Sequence, residues 1–143
     1  MLSEEWTMMR VPAQPERLHA LRGLVRDQAI IHGFTPEVVD ELVLAVNEAC
    51  MNVIQHGYRG TAGVLELGVR ADAAGIEFRI RDQAPVVSLE DWRPRDLDDL
   101  RPGGLGVHFI RQIMDEISYL PPPEGVGNWL SMKKYLPTQE NVT

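Results

Sequence analysis

The chain has 143 residues with 14 basic and 21 acidic side chains, a formal net charge of −7, and 44% hydrophobic residues. A chain of that length forms one domain that withdraws about 70% of its unfolded surface from water, so it needs no disulfide or structural metal. Ordinary Gly, Pro and charged-residue content excludes disordered, collagenous and fibrous readings. The acidic balance argues against sequence-independent nucleic-acid binding, which needs Lys and Arg to neutralise phosphates. A nucleotide or another protein is the partner class that remains. The single cysteine, Cys50, cannot form an intramolecular bridge. The sequence shows no signal-peptide core and no apolar run of the about 18 residues that a membrane span requires. The expected setting is a reducing cytoplasm with no membrane partner.

Trp6 to Val11 reads as an edge strand closed by Pro12, which has no N–H to give a neighbouring strand. From Pro15 to His32 the apolar residues Leu18, Leu21, Leu24, Val25 and Ile31 recur at helical spacing, and Gly33 supplies a stop. Arg17, Arg22 and Arg26 on this first helix are candidate partner contacts by exposure and charge. Thr35-Pro36-Glu37 gives an N-cap, a proline at the first helical position and an early carboxylate, so a second helix is predicted to run to His56 and Gly57. Val64 to Arg70 and Ile76 to Asp82 alternate apolar and polar residues, which predicts two antiparallel strands joined by a hairpin at Ala74-Gly75.

Residues 84–102 hold Pro85, Pro94 and Pro102 among many charges and read as a long solvated loop of the kind that serves as a lid. Gly103-Gly104-Leu105-Gly106 then opens a third helix carrying Val107, Ile110, Ile113, Met114 and Ile117. Strands around Ile117 to Leu120 and Trp129 to Leu136 close the chain. Residues 1–143 therefore read as a single α+β domain. Its predicted architecture is a two-layer sandwich with helices on one face of a mixed, mostly antiparallel sheet.

On the second helix Val39, Leu42, Val43, Val46, Ala49, Cys50, Val53 and Ile54 form a packing face. Glu41, Ala45, Glu48, Asn52, Gln55 and His56 form the opposite stripe. Glu48 and Asn52 lie one turn apart, so a carboxylate and a carboxamide are aimed at the same place. Such a stripe is also the ordinary solvated side of an amphipathic helix. As a site, Asn52 offers a hard oxygen suited to Mg²⁺, and Glu48 could take a proton from a hydroxyl attacking phosphorus. His56 reads first as a helix-end packing or capping residue, and Cys50 as an inert buried thiol. Asp82, at the mouth of a strand, is either a turn residue or an acceptor for the exocyclic amine of adenine. The Gly103 to Gly106 turn admits close approach of a polyphosphate to backbone N–H groups at a helix start, but it matches neither the P-loop nor the dinucleotide fingerprint.

Taken together, the segment Glu-Leu-Val-Leu-Ala-Val-Asn-Glu-Ala-Cys-Met-Asn-Val-Ile-Gln-His-Gly-Tyr (Glu41 to Tyr58) resembles the Asn-bearing box of the superfamily that includes gyrase and histidine kinases. The form it takes is that of the bacterial anti-sigma-factor serine/threonine protein kinases. Arg81-Asp82-Gln83-Ala84-Pro85 resembles that family's adenine box. Gly103 to Gly106 with Ile110 to Glu116 resembles its second glycine box, and Gly127 to Lys134 its last strand.

The resemblance implies an ATP-binding sandwich with an ATP lid over about 84–102. Asn52 would bind Mg²⁺, Glu48 would act as the general base and Asp82 would read adenine beside Ala84. Gly103, Gly104, Leu105 and Gly106 would close over the phosphates, with Arg101 the nearest cation. It also implies a sigma factor and an anti-sigma antagonist as partners, a phosphorylated serine or threonine on the antagonist, and a homodimer. Two departures stand out: Ala84 occupies a position where the family usually has Gly, and Pro102 one where some relatives carry a basic residue. Both favour the alternative of a non-catalytic nucleotide-binding module that sequesters its partner. An ATP hydrolase with lid-driven motion is a third reading.

Overall fold

In the computed structural model, which describes residues 5–59, 61–84, 109–122 and 127–137, the two periodicities of the sequence resolve into helices and strands. The helices are α1 (Leu18–Ile31) and α2 (Pro36–Asn52). The strands are β1 (Thr7–Pro12), β2 (Val64–Ala71), β3 (Gly75–Asp82), β4 (Glu116–Tyr119) and β5 (Asn128–Tyr135), and residues 109–113 are also helical. The sheet order is β1-β2-β3-β5-β4, and every described pairing is antiparallel. Among the described residues the sheet, expected to be mixed and mostly antiparallel, shows antiparallel pairing throughout. The lid segment from residue 85 to 102 lies outside the described residues, as do Arg101, Pro102, Gly103, Gly104, Leu105, Gly106 and Val107.

The start of α2 and the end of α1 each have a local reason. The Thr35 side chain accepts from the Val38 N–H, and Pro36 follows at a position whose own N–H would be unpaired in any helix. Gly33, with φ of +92°, takes the left-handed conformation that ends the α1 segment. Arg26 pairs with Asp40 at 2.9 Å and Arg22 donates to Asn47 at 3.0 Å, so two of the three arginines proposed as partner contacts hold α1 against α2. Among the described residues no helix is long and apolar enough to cross a membrane.

One hydrophobic cluster joins the inner faces of α1 and α2 to Leu65, Leu67 and Val69 of β2, Ile76, Phe78 and Ile80 of β3, and Leu130 and Met132 of β5. Ile110, Ile113 and Met114 belong to the same cluster, so the helices share one side of the sheet. Two side chains depart from their predicted faces. Ile31 is 69% exposed, because about 100° of rotation per residue carries it away from the line of Leu18, Leu21, Val25 and Ala29. Ala45, placed in the outward stripe, is fully buried because the same rotation sets it beside Ala49 at the margin of the packed arc. The predicted third helix is also shorter than its apolar spacing suggested: Ile117 belongs to β4, whose pairing with Met132 replaces a further helical turn.

The other side of the sheet is built from charge and aromatic rings. Antiparallel register lines up Arg70, Glu77, Lys133 and Glu116 across four strands, alternating in sign. Arg79 lies 4.5 Å from the Trp6 ring centre and 5.2 Å from that of Trp129, and Arg70 lies 4.8 Å from Trp6. Under this cover Glu77 is only 5% exposed, and it accepts from Arg70, Arg79 and the Ser131 hydroxyl. Burial pushes the Glu77 carboxyl up. The Ser131 bond, followed by the bond and charge of Arg79, outweighs burial and holds it below the ordinary 4.5.

A group whose folded value is depressed contributes stability that is complete above the unfolded value and is lost as pH falls through the folded one. Glu77→Gln should therefore cost about 1–3 kcal/mol at neutral pH. The deficit relative to wild type should shrink as pH drops below 4.5. Urea unfolding across that range measures it, and a pH-independent deficit would remove the assigned role.

Candidate functional site

The end of α2, the end of β3 and the start of β5 meet at one corner of the sheet. Antiparallel pairing puts Asp82, the last residue of β3, opposite Asn128, the first of β5. Its carboxylate is 3% exposed, and Oδ1 accepts from the Ala84 N–H at 2.8 Å and from Asn128 Nδ2 at 3.0 Å. The turn reading holds, since Asp82 closes a turn through Ala84, and the carboxylate is buried where it does so. Burial raises its pKa above the ordinary 3.8, against the lowering effect of the Asn128 and Ala84 bonds. Because the folded value is raised, ionising Asp82 costs stability as pH climbs from 3.8 through the folded value, and above that the cost is constant.

Gly127 backs this corner. With φ of +77° it leads into β5, and a Cβ placed on it would lie 1.9 Å from the Asp82 carbonyl oxygen. Only glycine lets the two backbones approach so closely.

Glu48 and Asn52 are half-buried on the last turns of α2, beside the buried Ala45 and Ala49. Past Asn52 the helix widens into a π-helical stretch, Val53–Tyr58, where the sequence predicted a simple α-helical end at His56 and Gly57. This stretch reaches the Asp82 corner directly. A Cβ on Gly57 would stand 3.0 Å from the Ala84 Cβ, and the Tyr58 hydroxyl accepts from the Gln83 N–H at 2.8 Å. The helix bearing Glu48 and Asn52 is thus joined through its own continuation to the segment bearing Asp82 and Ala84. Arg101, Gly103, Gly104, Leu105 and Gly106, the predicted phosphate side, lie outside the described residues. His56 is exposed and Cys50 is buried, its thiol pushed up to about 12 by burial, which keeps it protonated and inert.

Ala84, a departure from the resembling family's usual glycine, is 3% exposed with its methyl facing the hydrogen of Gly57. The missing side chain at 57 makes room for the extra one at 84. Gly57→Ala should therefore be about 1 kcal/mol more costly beside Ala84 than beside Gly in an Ala84→Gly background, although alanine is the better helix former. A double-mutant cycle by denaturant unfolding reads that coupling, and additive effects would show that the two positions do not compete.

Three contributors escaped the sequence reading as individuals: Asn128, Gly127 and Tyr58. For the first two the signals were Gly-x-Gly-Asn ahead of a predicted strand and the resemblance over Gly127 to Lys134, and for the third the end of the resemblance over Glu41 to Tyr58. Among the described residues no group of three or more His, Cys, Asp and Glu forms a metal cage. Mg²⁺ bound through phosphate oxygens and waters needs only one or two protein oxygens, and Asn52 supplies a hard, partly exposed one.

Compared with known proteins, residues 11–134 match the family model described as the histidine kinase-like ATPase domain. The serine-protein kinase RsbW of Bacillus velezensis is 31% identical, with 94% of this chain and 88% of that protein covered. The protein of the same name from Bacillus subtilis is 30% identical, covering 92% and 86%, and that from Staphylococcus aureus 26%, covering 96% and 91%. Among solved structures, the histidine kinase domain of a blue-light activated histidine kinase from Erythrobacter litoralis superposes with a TM-score of 0.56 at 18% identity. That superposition covers 92% of this chain and 64% of the other, and it shows a shared fold. With its α+β sandwich and an acidic strand end facing the continuation of an Asn-bearing helix, the chain belongs to the histidine kinase-like ATPase domain family.

Proposed function

We propose that this chain is an ATP-dependent serine/threonine protein kinase and anti-sigma regulatory factor, acting as one ATP-binding domain. The carrying observation is Asp82, a buried carboxylate fixed by Ala84 and Asn128 at the corner reached by the helix of Glu48 and Asn52. A carboxylate there accepts from the 6-amino group of adenine and meets a carbonyl at the same ring position of guanine, which makes it a base discriminator. The serine-protein kinase relatives support the reaction class.

In this reading Asn52 would hold Mg²⁺ through its carboxamide oxygen, and the ion would supply charge neutralisation at the phosphates. Glu48 takes the proton of the attacking serine hydroxyl as its oxygen bonds the terminal phosphorus and the bond to the departing diphosphate breaks. The half-exposed position of Glu48 on α2 leaves it reachable by an incoming side chain. The acceptor protein is an anti-sigma antagonist, the sequestered partner a sigma factor, and the working form a cytoplasmic homodimer.

The test has two stages. Calorimetry of Mg²⁺-ATP binding to Asp82→Asn should show affinity reduced about tenfold or more, the worth of a hydrogen bond to a charged acceptor. Incubation of the wild-type protein with Mg²⁺-ATP and an antagonist-like protein should then add the mass of one phosphoryl group to the latter. Binding without that mass gain would favour the sequestering module, and no heat of binding in folded protein would end both.

A further inference from the structure

Tyr58 is buried, and its hydroxyl ties the start of β2 to the residue just past the end of β3. It donates to the Val64 carbonyl at 2.9 Å, accepts from the Gln83 N–H at 2.8 Å and lies 3.3 Å from the Val64 N–H. The geometry that brings it there is specific. Tyr58 closes the π-helical stretch, whose extra residue per turn turns the side chain to a different side than an α-helical continuation would. Its ring then runs over Gly63, where a Cβ would lie 2.3 Å from ring carbons.

The Gln83 N–H and the Asp82 carbonyl belong to one planar peptide unit. Tyr58 holds that unit by its N–H, while Gly127 lies against its carbonyl oxygen. Turning this peptide would move the Ala84 N–H from which the Asp82 carboxylate accepts, so both grips bear on where the carboxylate is held.

We propose that Tyr58 is a positioning residue for nucleotide recognition: through the Asp82–Gln83 peptide its hydroxyl presents the Asp82 carboxylate to the adenine base. The inference rests on reading Asp82 as the adenine acceptor, and the two can fail separately. Tyr58→Phe removes the hydroxyl and keeps the ring. Thr61→Val serves as the control, since the Thr61 hydroxyl donates to the Tyr58 carbonyl and supports the same turn without touching Gln83.

Calorimetry with Mg²⁺-ATP and Mg²⁺-GTP, beside thermal unfolding, is applied to wild type, Tyr58→Phe, Thr61→Val and Asp82→Asn. For Tyr58→Phe the expected result is an ATP affinity weakened about tenfold and a narrowed preference for ATP over GTP. Thr61→Val should lower the melting temperature and leave both affinities alone. Equal losses in Tyr58→Phe and Thr61→Val, tracking their melting temperatures, would reduce Tyr58 to a structural role and overturn the proposal. Lost affinity in Asp82→Asn with none in Tyr58→Phe would overturn it alone, and unchanged affinity in both would overturn the adenine reading and this inference together. Amide exchange in the wild-type protein is a check that needs no variant. The Gln83 N–H should exchange far more slowly than that of the exposed turn residue Ala73, and comparable rates would overturn the proposal.

Discussion

Glu48→Ala is expected to slow phosphotransfer to the protein acceptor by about 10²- to 10⁴-fold, the usual worth of a general base, while Mg²⁺-ATP affinity stays within a few-fold of wild type. The separation follows from where the side chain sits. Glu48 is on α2 one turn before Asn52, and its neighbour Asn47 is bonded to Arg22 of α1, so the helix surface that carries it is held in place by contacts the substitution leaves intact. Alanine keeps the helix, being its best former, and removes only the proton acceptor. Asn52→Ala should show the opposite pattern, with weakened Mg²⁺-ATP binding. Single-turnover transfer of labelled phosphate, alongside calorimetry, distinguishes them. Transfer by Glu48→Ala as fast as by wild type would mean that another group, or water, takes the proton.

Gly127→Ala carries the largest expected effect on the fold. A left-handed backbone costs a non-glycine residue about 1–2 kcal/mol. The new methyl would also sit 1.9 Å from a backbone oxygen, which no rotamer change can relieve. The combined loss should be about 3–5 kcal/mol, lowering the melting temperature by about 10 °C or more. Circular dichroism on heating would show it. The displaced atoms are those of Asp82 and Gln83, so the same variant should lose ATP affinity even well below its melting temperature. A variant that melts like wild type would mean that the approach of β5 to the end of β3 is looser than the geometry described here.

The element order was legible because each element states its own terms. Thr35-Pro36-Glu37 announces the start of α2 by local hydrogen bonding, and the alternation from Val64 to Arg70 and from Ile76 to Asp82 fixes which side chains enter the core. The hairpin between them closes as its residues suggest, with Asp72 accepting from Ala74 and Gly75. Ile31 went astray because it was grouped by spacing alone, and Ala45 because a helical angle does not say how wide an arc the rest of the fold covers. The π-helical stretch left no sequence trace, since Val53 to Tyr58 would also suit an ordinary helical turn. The roles proposed for Asn52 toward Mg²⁺ and for Glu48 as base rest on their spacing on one helix and on the family resemblance.

What the sequence determined by itself was local. Hydrophobic period, caps and turn residues specified the helices and strands, and one-turn spacing put a carboxylate and a carboxamide side by side on α2. Only the tertiary structure decided that Asn128 grips Asp82 from 46 residues away and that Tyr58 reaches Gln83 across 25. The same holds for Gly57, which makes room for Ala84, and for Gly127, which lies against the Asp82 carbonyl. Periodicity reports which side of an element meets the core. Contacts between element ends depend on how the sheet and helices are stacked, and that arrangement exists only after the chain has folded.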